Sequence, residues 1–529
     1  MSTPQDTPFI PAPRITTVAG YLLTRLAEAG LISVFGVPGA DNHAIVDAVA
    51  GRPELAWADL ATELGAGYAA ACYARLRGIG ALVTTFGAGE LSALNAIAGA
   101  WAESVPVVHI VGTPALEARQ VGAAPDHDMP DRDYDRFARI ASEVTAAQAD
   151  LRVGTAPEEI DRVLGTALRT SRPVYLTIPA DVADLPVLAP AGRLPRAAEE
   201  ADPAVVAAFT GRARRMLAAA DSTSLLLGHL ADRYRVTGQV RDLAIAGQLP
   251  VAVLPTAKGD FPESDPRFAG LYPATAKRAR VAVEDTELLI TVGVTMTGGV
   301  RPEGHRIDLA PEQARIDGTV YPGLGLRRSL AILTAAVVAL ARPVRSALAE
   351  LPPLEAAPDV RGGPLTPGSL RARMQDLVRP GDLLIAGAGA AFDGAAALTL
   401  PAGARLIAPA LWPSAGWPVP AALGASLAEP GRRVVLIAGD TAGWQAELAA
   451  LLGQGLAPVI IVLGRDGGLA CAQPQASLVT LRAGTSHELA WALNAARYHA
   501  AAGRPVLVEA DVDASENPLP LQELTRTTR

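Results

Sequence analysis

The chain has almost no cysteine. Cys72 and Cys471 are the only two in 529 residues, so neither a disulfide framework nor a cysteine-rich zinc site is available. It also lacks an excess of positive charge. Lys and Arg number 46 against 54 Asp and Glu, giving a formal net charge of −8 and a pI near 5.5. That balance argues against nucleic acid or an anionic membrane surface as the main partner. No apolar run reaches membrane-spanning length without interruption by a charge, Pro or Gly. The opening MSTPQDTPFIPAPR has no charged start followed by an apolar core, so it does not read as a secretory signal. Its prolines mark residues 1–14 as a loose tail. The expected location is the cytoplasm.

What is present is core-forming material. Half the residues are apolar and 19 % are charged, and the chain is too long for a single core. From Thr16 to Val111 helical patterns such as VAGYLLTRLAEAG alternate with short aliphatic runs such as LISVFGVPG, ALVTTFGAG and VPVVHIVG. This rhythm predicts a parallel sheet covered by helices. RPVYLTIPADVA reads as the last strand of that first domain. A Pro- and charge-rich stretch follows, from Ala189 to Pro203. A second α/β unit holds STSLLLGHL, LPVAVLPTAKGDF and TELLITVGVTMTGG, and a second linker runs from Leu351 to Gly368. A third unit holds DLLIAGAGAAF, RRVVLIAGD, APVIIVLGRDGG and RPVLVEADV. The predicted fold is α/β, with three domains at 15–188, 204–350 and 366–529. Each has a central parallel sheet flanked by helices, without close internal repeats in the sequence.

Two stretches of the third unit carry a chemical question. VVLIAGDTAGW from Val434 and VIIVLGRDGGLAC from Val459 are buried-strand runs that end in Gly/Asp clusters. Such strand ends suit a metal and a phosphate. Yet Arg465 stands where an oxygen ligand is wanted.

Several stretches together resemble one family, from Ile15 to about Val512: VFGVPGADN, TELGAGYAAACYARLRGIGALVTTFGAGELSALNAIAGAWAESVPVVHIVG, RPVYLTIPADVA, KGDFPESDPRFAGLY, LWPSAG and VVLIAGD. The chain resembles the thiamine-diphosphate-dependent 2-oxo acid decarboxylases, nearest the indolepyruvate and pyruvate decarboxylase group. The resemblance implies thiamine diphosphate and Mg²⁺ as cofactors, a 2-oxo acid substrate, and loss of CO₂ to give an aldehyde or acyloin. It implies a first domain that holds the aminopyrimidine, a third that holds the diphosphate through Mg²⁺, and sites shared across a dimer or tetramer. It matches Glu63 to the activating glutamate. A first-turn helix acid stabilised by the dipole is the plainer reading of the same residue. It also assigns Pro38, Gly39, Gly87, Ser414, Ala415, Gly439, Asp440 and Thr441 to the cofactor site, and Asp440 and Gly467 to the metal. His127 retains one of the family's paired histidines, as a proton carrier or simply as a solvated side chain.

The departures are equally specific. Ala40 replaces a proton-transferring aspartate, and Asp41, one residue later, reads as a cap for the next helix. Asp126 replaces the first histidine of the pair. Thr441 stands where a phosphate-loop glycine is usual, and Ala415 where a bulky residue bends the cofactor. Pro413 stands where glycine is frequent, and Cys471 where a glutamate is, either as a nucleophile or as a small packed residue. Arg465 replaces the Mg²⁺-ligating asparagine, and a guanidinium offers donors only. Three readings follow: a decarboxylase with relaxed ligation; a site where Arg465 takes the place of the metal on thiamine diphosphate or another anionic ligand; or a non-catalytic chain with an Asp440–Arg465 ion pair, which pairs with an intact partner in a hetero-oligomer.

Overall fold

The structure, a computed structural model, describes residues 14–122, 129, 132–194, 201–273, 277–295, 304–340, 351, 363–439, 444–464 and 478–512. The chain divides into two compact units. One comprises Met1–Gly67, Arg77–Ile97 and Pro106–Arg196; the other comprises Tyr68–Leu76, Ala98–Val105 and Ala197–Arg529. Among the described residues no helix is long and apolar enough to cross a membrane.

The first unit is built on a six-stranded sheet. Its strands lie in the order Ala56–Asp59, Ser33–Gly36, Gly80–Thr85, Val107–Thr113, Val174–Pro179, Gln148–Asp150. All neighbours are parallel. The central strands are aliphatic and covered on both faces: every residue of Val107–Thr113 and Val174–Pro179 is buried, as a parallel sheet between helices requires. Ile15–Thr17 pairs antiparallel with Pro186–Leu188 to tie the two ends of this unit together. The chain visits Ser33–Gly36 first, steps outward to Ala56–Asp59, then returns to the other side with Gly80–Thr85. That reversal leaves a crevice at the carboxyl ends of Ser33–Gly36 and Gly80–Thr85, the place where open α/β sheets bind ligands.

The second unit contains two sheets. One has seven strands, in the order Phe268–Leu271, Val251–Val253, Thr223–Leu227, Leu288–Val292, His305–Leu309, Gln313–Ile316, Thr319–Pro322. Five strands run parallel, and the last two extend the sheet as antiparallel neighbours. Asp317 and Gly318, both at positive φ (45° and 83°), make the tight turn between them. The other sheet has six parallel strands, in the order Arg405–Ile407, Leu383–Ala386, Val434–Ala438, Val459–Leu463, Val506–Ala510, Val479–Ala483. Counted along the chain this is second, first, third, fourth, sixth, fifth, the same path as the first unit's sheet. The topology therefore repeats where the sequence does not. Its reversal point lies between Leu383–Ala386 and Val434–Ala438.

The second unit also contains buried ions. Arg75 Nη2 meets Glu103 Oε2 at 3.3 Å and Arg75 Nη1 donates to the Ala408 carbonyl at 2.7 Å. Glu103 Oε1 accepts from the Leu411 amide at 2.7 Å, and Arg233 lies 3.8 Å from its other oxygen. Asp232 binds Arg233 at 3.0 Å and Arg405 at 2.8 Å. Burial favours a neutral Asp232, but Arg405 and Arg233 outweigh it and hold this carboxyl below its usual range. Close backbone packing accompanies these pairs. A Cβ on Gly424 would lie 2.1 Å from the Ala69 carbonyl oxygen, so helix Pro418–Ala428 approaches that segment as only glycine permits.

Candidate functional site

In the first unit the crevice walls are turns. After Ser33–Gly36 the chain runs through Pro38 and Gly39. Asn42, fully buried, accepts from the Gly39 amide at 2.8 Å and donates to the Val37 carbonyl at 3.0 Å, so one side chain fixes the turn from both ends. A Cβ at Gly39 would lie 2.9 Å from that of Thr85, which packs this turn against the neighbouring strand end. The expectation that Asp41 caps the next helix is corrected: helix His43–Ala50 has its cap position at Asn42, with no side-chain capping bond, because that side chain serves the turn instead.

Glu63 is the first residue of helix Glu63–Arg77 and is half-buried. The Thr62 hydroxyl accepts from the Gly65 amide at 3.0 Å and starts the helix. After Gly80–Thr85 the chain turns through Gly87, at φ 73°, into helix Ala88–Ala102. A Cβ at Gly89 would come within 3.2 Å of Glu63 Oε1 and 3.0 Å of Thr85 Cγ2. The Glu63 carboxyl thus lies against the first turn of a second helix, whose free amides favour an anion. The two helices themselves meet closely, since a Cβ on Gly67 would stand 2.5 Å from that of Ala96.

In the second unit the equivalent crevice has glycine at its edges. Gly389, at φ 70°, precedes helix Ala390–Ala396, and among the described residues a Cβ there or at Gly439 would meet nothing within 4 Å. Gly439 ends the run from Val434–Ala438 and is exposed. Ser414 and Ala415 lie on the loop that follows Arg405–Ile407. The Ser414 hydroxyl donates to the Trp412 carbonyl at 3.5 Å, and Ala415 is exposed. Asp440, Thr441, Arg465, Gly467, His127, Asp126 and Cys471 lie outside the described residues.

The sequence matches three family profiles: "Thiamine pyrophosphate enzyme, N-terminal TPP binding domain" over residues 16–135, "central domain" over 210–332, and "C-terminal TPP binding domain" over 389–519. It is 40 % identical over 464 residues to an alpha-keto-acid decarboxylase of Mycolicibacterium paratuberculosis, covering 85 % of this chain and 82 % of that protein. It is 40 % identical over 472 residues to the protein of that name in Mycobacterium leprae, covering 86 % and 82 % of the two chains. The one in Mycobacterium tuberculosis is 39 % identical over 483 residues, covering 88 % and 85 %. The chain belongs to the thiamine pyrophosphate enzyme family.

Membership of this family implies thiamine diphosphate as the cofactor. The first crevice suits the cofactor's aminopyrimidine end by its chemistry: a Cβ at Gly39 or Gly89 would crowd Thr85, Gly87 turns at φ 73°, and the Glu63 carboxyl borders these close-packed turns. Among the described residues nothing crowds Gly389 or Gly439 of the second, which suits an approaching phosphate. A divalent metal fits less well by donor chemistry. The two positions assigned to it, Asp440 and Gly467, can offer a carboxylate and a carbonyl oxygen, whereas Arg465, at the place of the expected asparagine, offers donors only.

Sequence reasoning misses four residues of the first crevice: Thr85, Gly89, Glu90 and Tyr175. Glu90 has a signal, an acid three places after the glycine that opens a helix. Tyr175 has none, since it meets Glu90 across 85 residues of chain. A cavity of about 400 Å³ also occurs in the second unit, bordered by Asp232, Arg235, Asp260, Glu263 and Arg405. The Asp232–Arg405 pair lies on its wall, and it contains none of the assigned site residues.

Proposed function

We propose that this protein is a 2-oxo acid decarboxylase-type carbon–carbon lyase using thiamine diphosphate, with an altered diphosphate site. The observation that carries this reading is the Glu63 carboxyl lying against the first turn of helix Ala88–Ala102, beside the left-handed Gly87 turn at the sheet's reversal point. The names of its relatives support the reaction class. When bound, thiamine diphosphate supplies a nucleophilic carbon and an electron sink for release of CO₂. Glu63 then holds or moves a proton at a pyrimidine nitrogen. Pro38, Gly39 and Gly87 bound that ring, and Gly439, Asp440, Thr441, Ser414 and Ala415 bound the other end of the cofactor. His127 is assigned to proton transfer. The product is an aldehyde, or an acyloin by carboligation. We read the protein as a cytoplasmic homodimer or homotetramer, with domains at 15–188, 204–350 and 366–529.

One sequence fact favours a second reading of the metal. Arg465 occupies the position of the expected asparagine ligand, and a planar guanidinium can bind a diphosphate bidentately. In that reading Mg²⁺ at Asp440 and Gly467 is dispensable.

Calorimetric titration of thiamine diphosphate into the full-length protein, with Mg²⁺ and with a chelator, separates the two. Binding that needs Mg²⁺, with CO₂ released from a 2-oxo acid, is expected of the ordinary enzyme. Binding in chelator that is weakened by Arg465→Asn supports the guanidinium site. Binding in neither condition overturns the cofactor reading and favours a non-catalytic chain that acts through a partner subunit.

A further inference from the structure

Glu90 has no part in the reading above, yet it is a buried acid, 4 % exposed, beside the aminopyrimidine crevice. It is the third residue of helix Ala88–Ala102, and Oε1 accepts from the Gly87 amide at 2.9 Å. That contact alone is half of a capping box, and a helix start anywhere could use it. Two further observations separate Glu90 from an ordinary cap. Its Oε2 accepts from the Tyr175 hydroxyl at 2.6 Å. Tyr175 comes from Val174–Pro179, two strands away from Gly80–Thr85, and its ring packs edge-on to His109 at 5.5 Å. His109 Nε2 in turn meets the Thr84 hydroxyl at 2.9 Å. Second, the turn that Glu90 holds is the surface on which the Glu63 carboxyl lies, 3.2 Å from where a Gly89 Cβ would be.

We propose that Glu90 and Tyr175 are positioning residues for thiamine diphosphate: the pair fixes the left-handed Gly87 turn, and with it the floor on which Glu63 meets the aminopyrimidine. The inference rests on the proposed function, which assigns Glu63 and Gly87 to that cofactor. The chemistry of the pair suits a permanent clamp. Burial and the Glu90 charge hold the Tyr175 phenol well above its ordinary range, so it stays a donor. Removing the hydroxyl takes this donor away from the buried carboxylate and loosens its hold on the turn.

The test is thiamine diphosphate binding by the full-length protein with Mg²⁺, read by calorimetry and by near-ultraviolet circular dichroism of the bound pyrimidine, with thermal midpoints alongside. Tyr175→Phe and Glu90→Ala are expected to bind at least about ten-fold more weakly, equal to about 1.4 kcal/mol, with an altered dichroic band. Glu90→Gln keeps an acceptor for Gly87 and an N–H for the phenol oxygen, and is expected to retain binding. Unchanged affinity and an unchanged band in Tyr175→Phe, even with a lower thermal midpoint, would reduce Glu90 to a helix cap and overturn the inference. Where Tyr175→Phe does not fold, Glu90→Asp carries the test: it keeps the charge but cannot reach both partners, and binding equal to the parent overturns the inference. Failure of the parent itself to bind the cofactor overturns the proposed function, and this inference with it.

Discussion

His109 ties the stability of the first sheet to pH. It lies in the central strand Val107–Thr113, 2 % exposed. Its described contacts are the Thr84 hydroxyl and the edge of Tyr175. Burial pulls its imidazole from 6.5 down to about 3. The folded protein therefore binds no proton here at pH 5, whereas the unfolded chain does. The contribution is complete above the unfolded value of 6.5 and is lost as pH falls from there towards 3. Each pH unit below 6.5 costs about 1.4 kcal/mol, so stability at about pH 5 should be lower by about 2 kcal/mol than at about pH 7.5 from this group alone. Urea unfolding followed by hydrogen exchange in Val107–Thr113 measures it at both pH values. His109→Gln, which does not titrate, should lose about 2 kcal/mol less between those conditions, while every other titrating group acts equally in both proteins. Parallel losses in the two proteins would refute the reasoning.

Two further substitutions probe geometry. Gly89→Ala gains helix propensity, up to about 1 kcal/mol, but sets its methyl 3.0 Å from Thr85 Cγ2, so the two effects oppose and the thermal midpoint should change little. The same methyl lies 3.2 Å from Glu63 Oε1, so titration should show weaker thiamine diphosphate binding in a protein with a near-parental thermal midpoint; unchanged binding would remove Glu63 from the site. Glu103→Ala leaves Arg75 buried without its carboxylate, and should destabilise by about 3–5 kcal/mol, read from urea midpoints. A loss below about 1 kcal/mol would mean that water reaches Arg75.

Much of this architecture is legible in the sequence because buried parallel strands are written as continuous aliphatic runs. VVHIVG, VVLIA and VIIVL are each a strand of the structure. The edge strands are not so written. Ala56–Asp59 and Gln148–Asp150 are short and partly exposed, so their residues carry no apolar run. The matched path of the two six-stranded sheets is likewise invisible, since topology is set by which strands pair and not by local composition. At the candidate site, Pro38, Gly39, Glu63 and Gly87 are legible because each stands in a short contiguous stretch that can be matched as a unit. The Glu90–Tyr175 clamp is assembled by the sheet from distant strands, and no local pattern encodes it.

The buried charges of the second unit also bear on how the chain is made. Arg75 and the Ala408 carbonyl it binds are 333 residues apart. At a synthesis rate of about 5–20 residues per second, roughly 15 to 70 s pass between their emergence from the ribosome. During that interval the Ala-rich helical segment around Arg75 has neither Ala408 nor the backbone of Leu411 to pack on, and Gly424 has not yet reached Ala69. Arg75 and Glu103 lack those backbone partners for that time, and charge on an otherwise apolar segment hinders its association with other nascent chains. The same pair that is costly to bury in the finished protein keeps its unfinished surface in water until the last domain arrives.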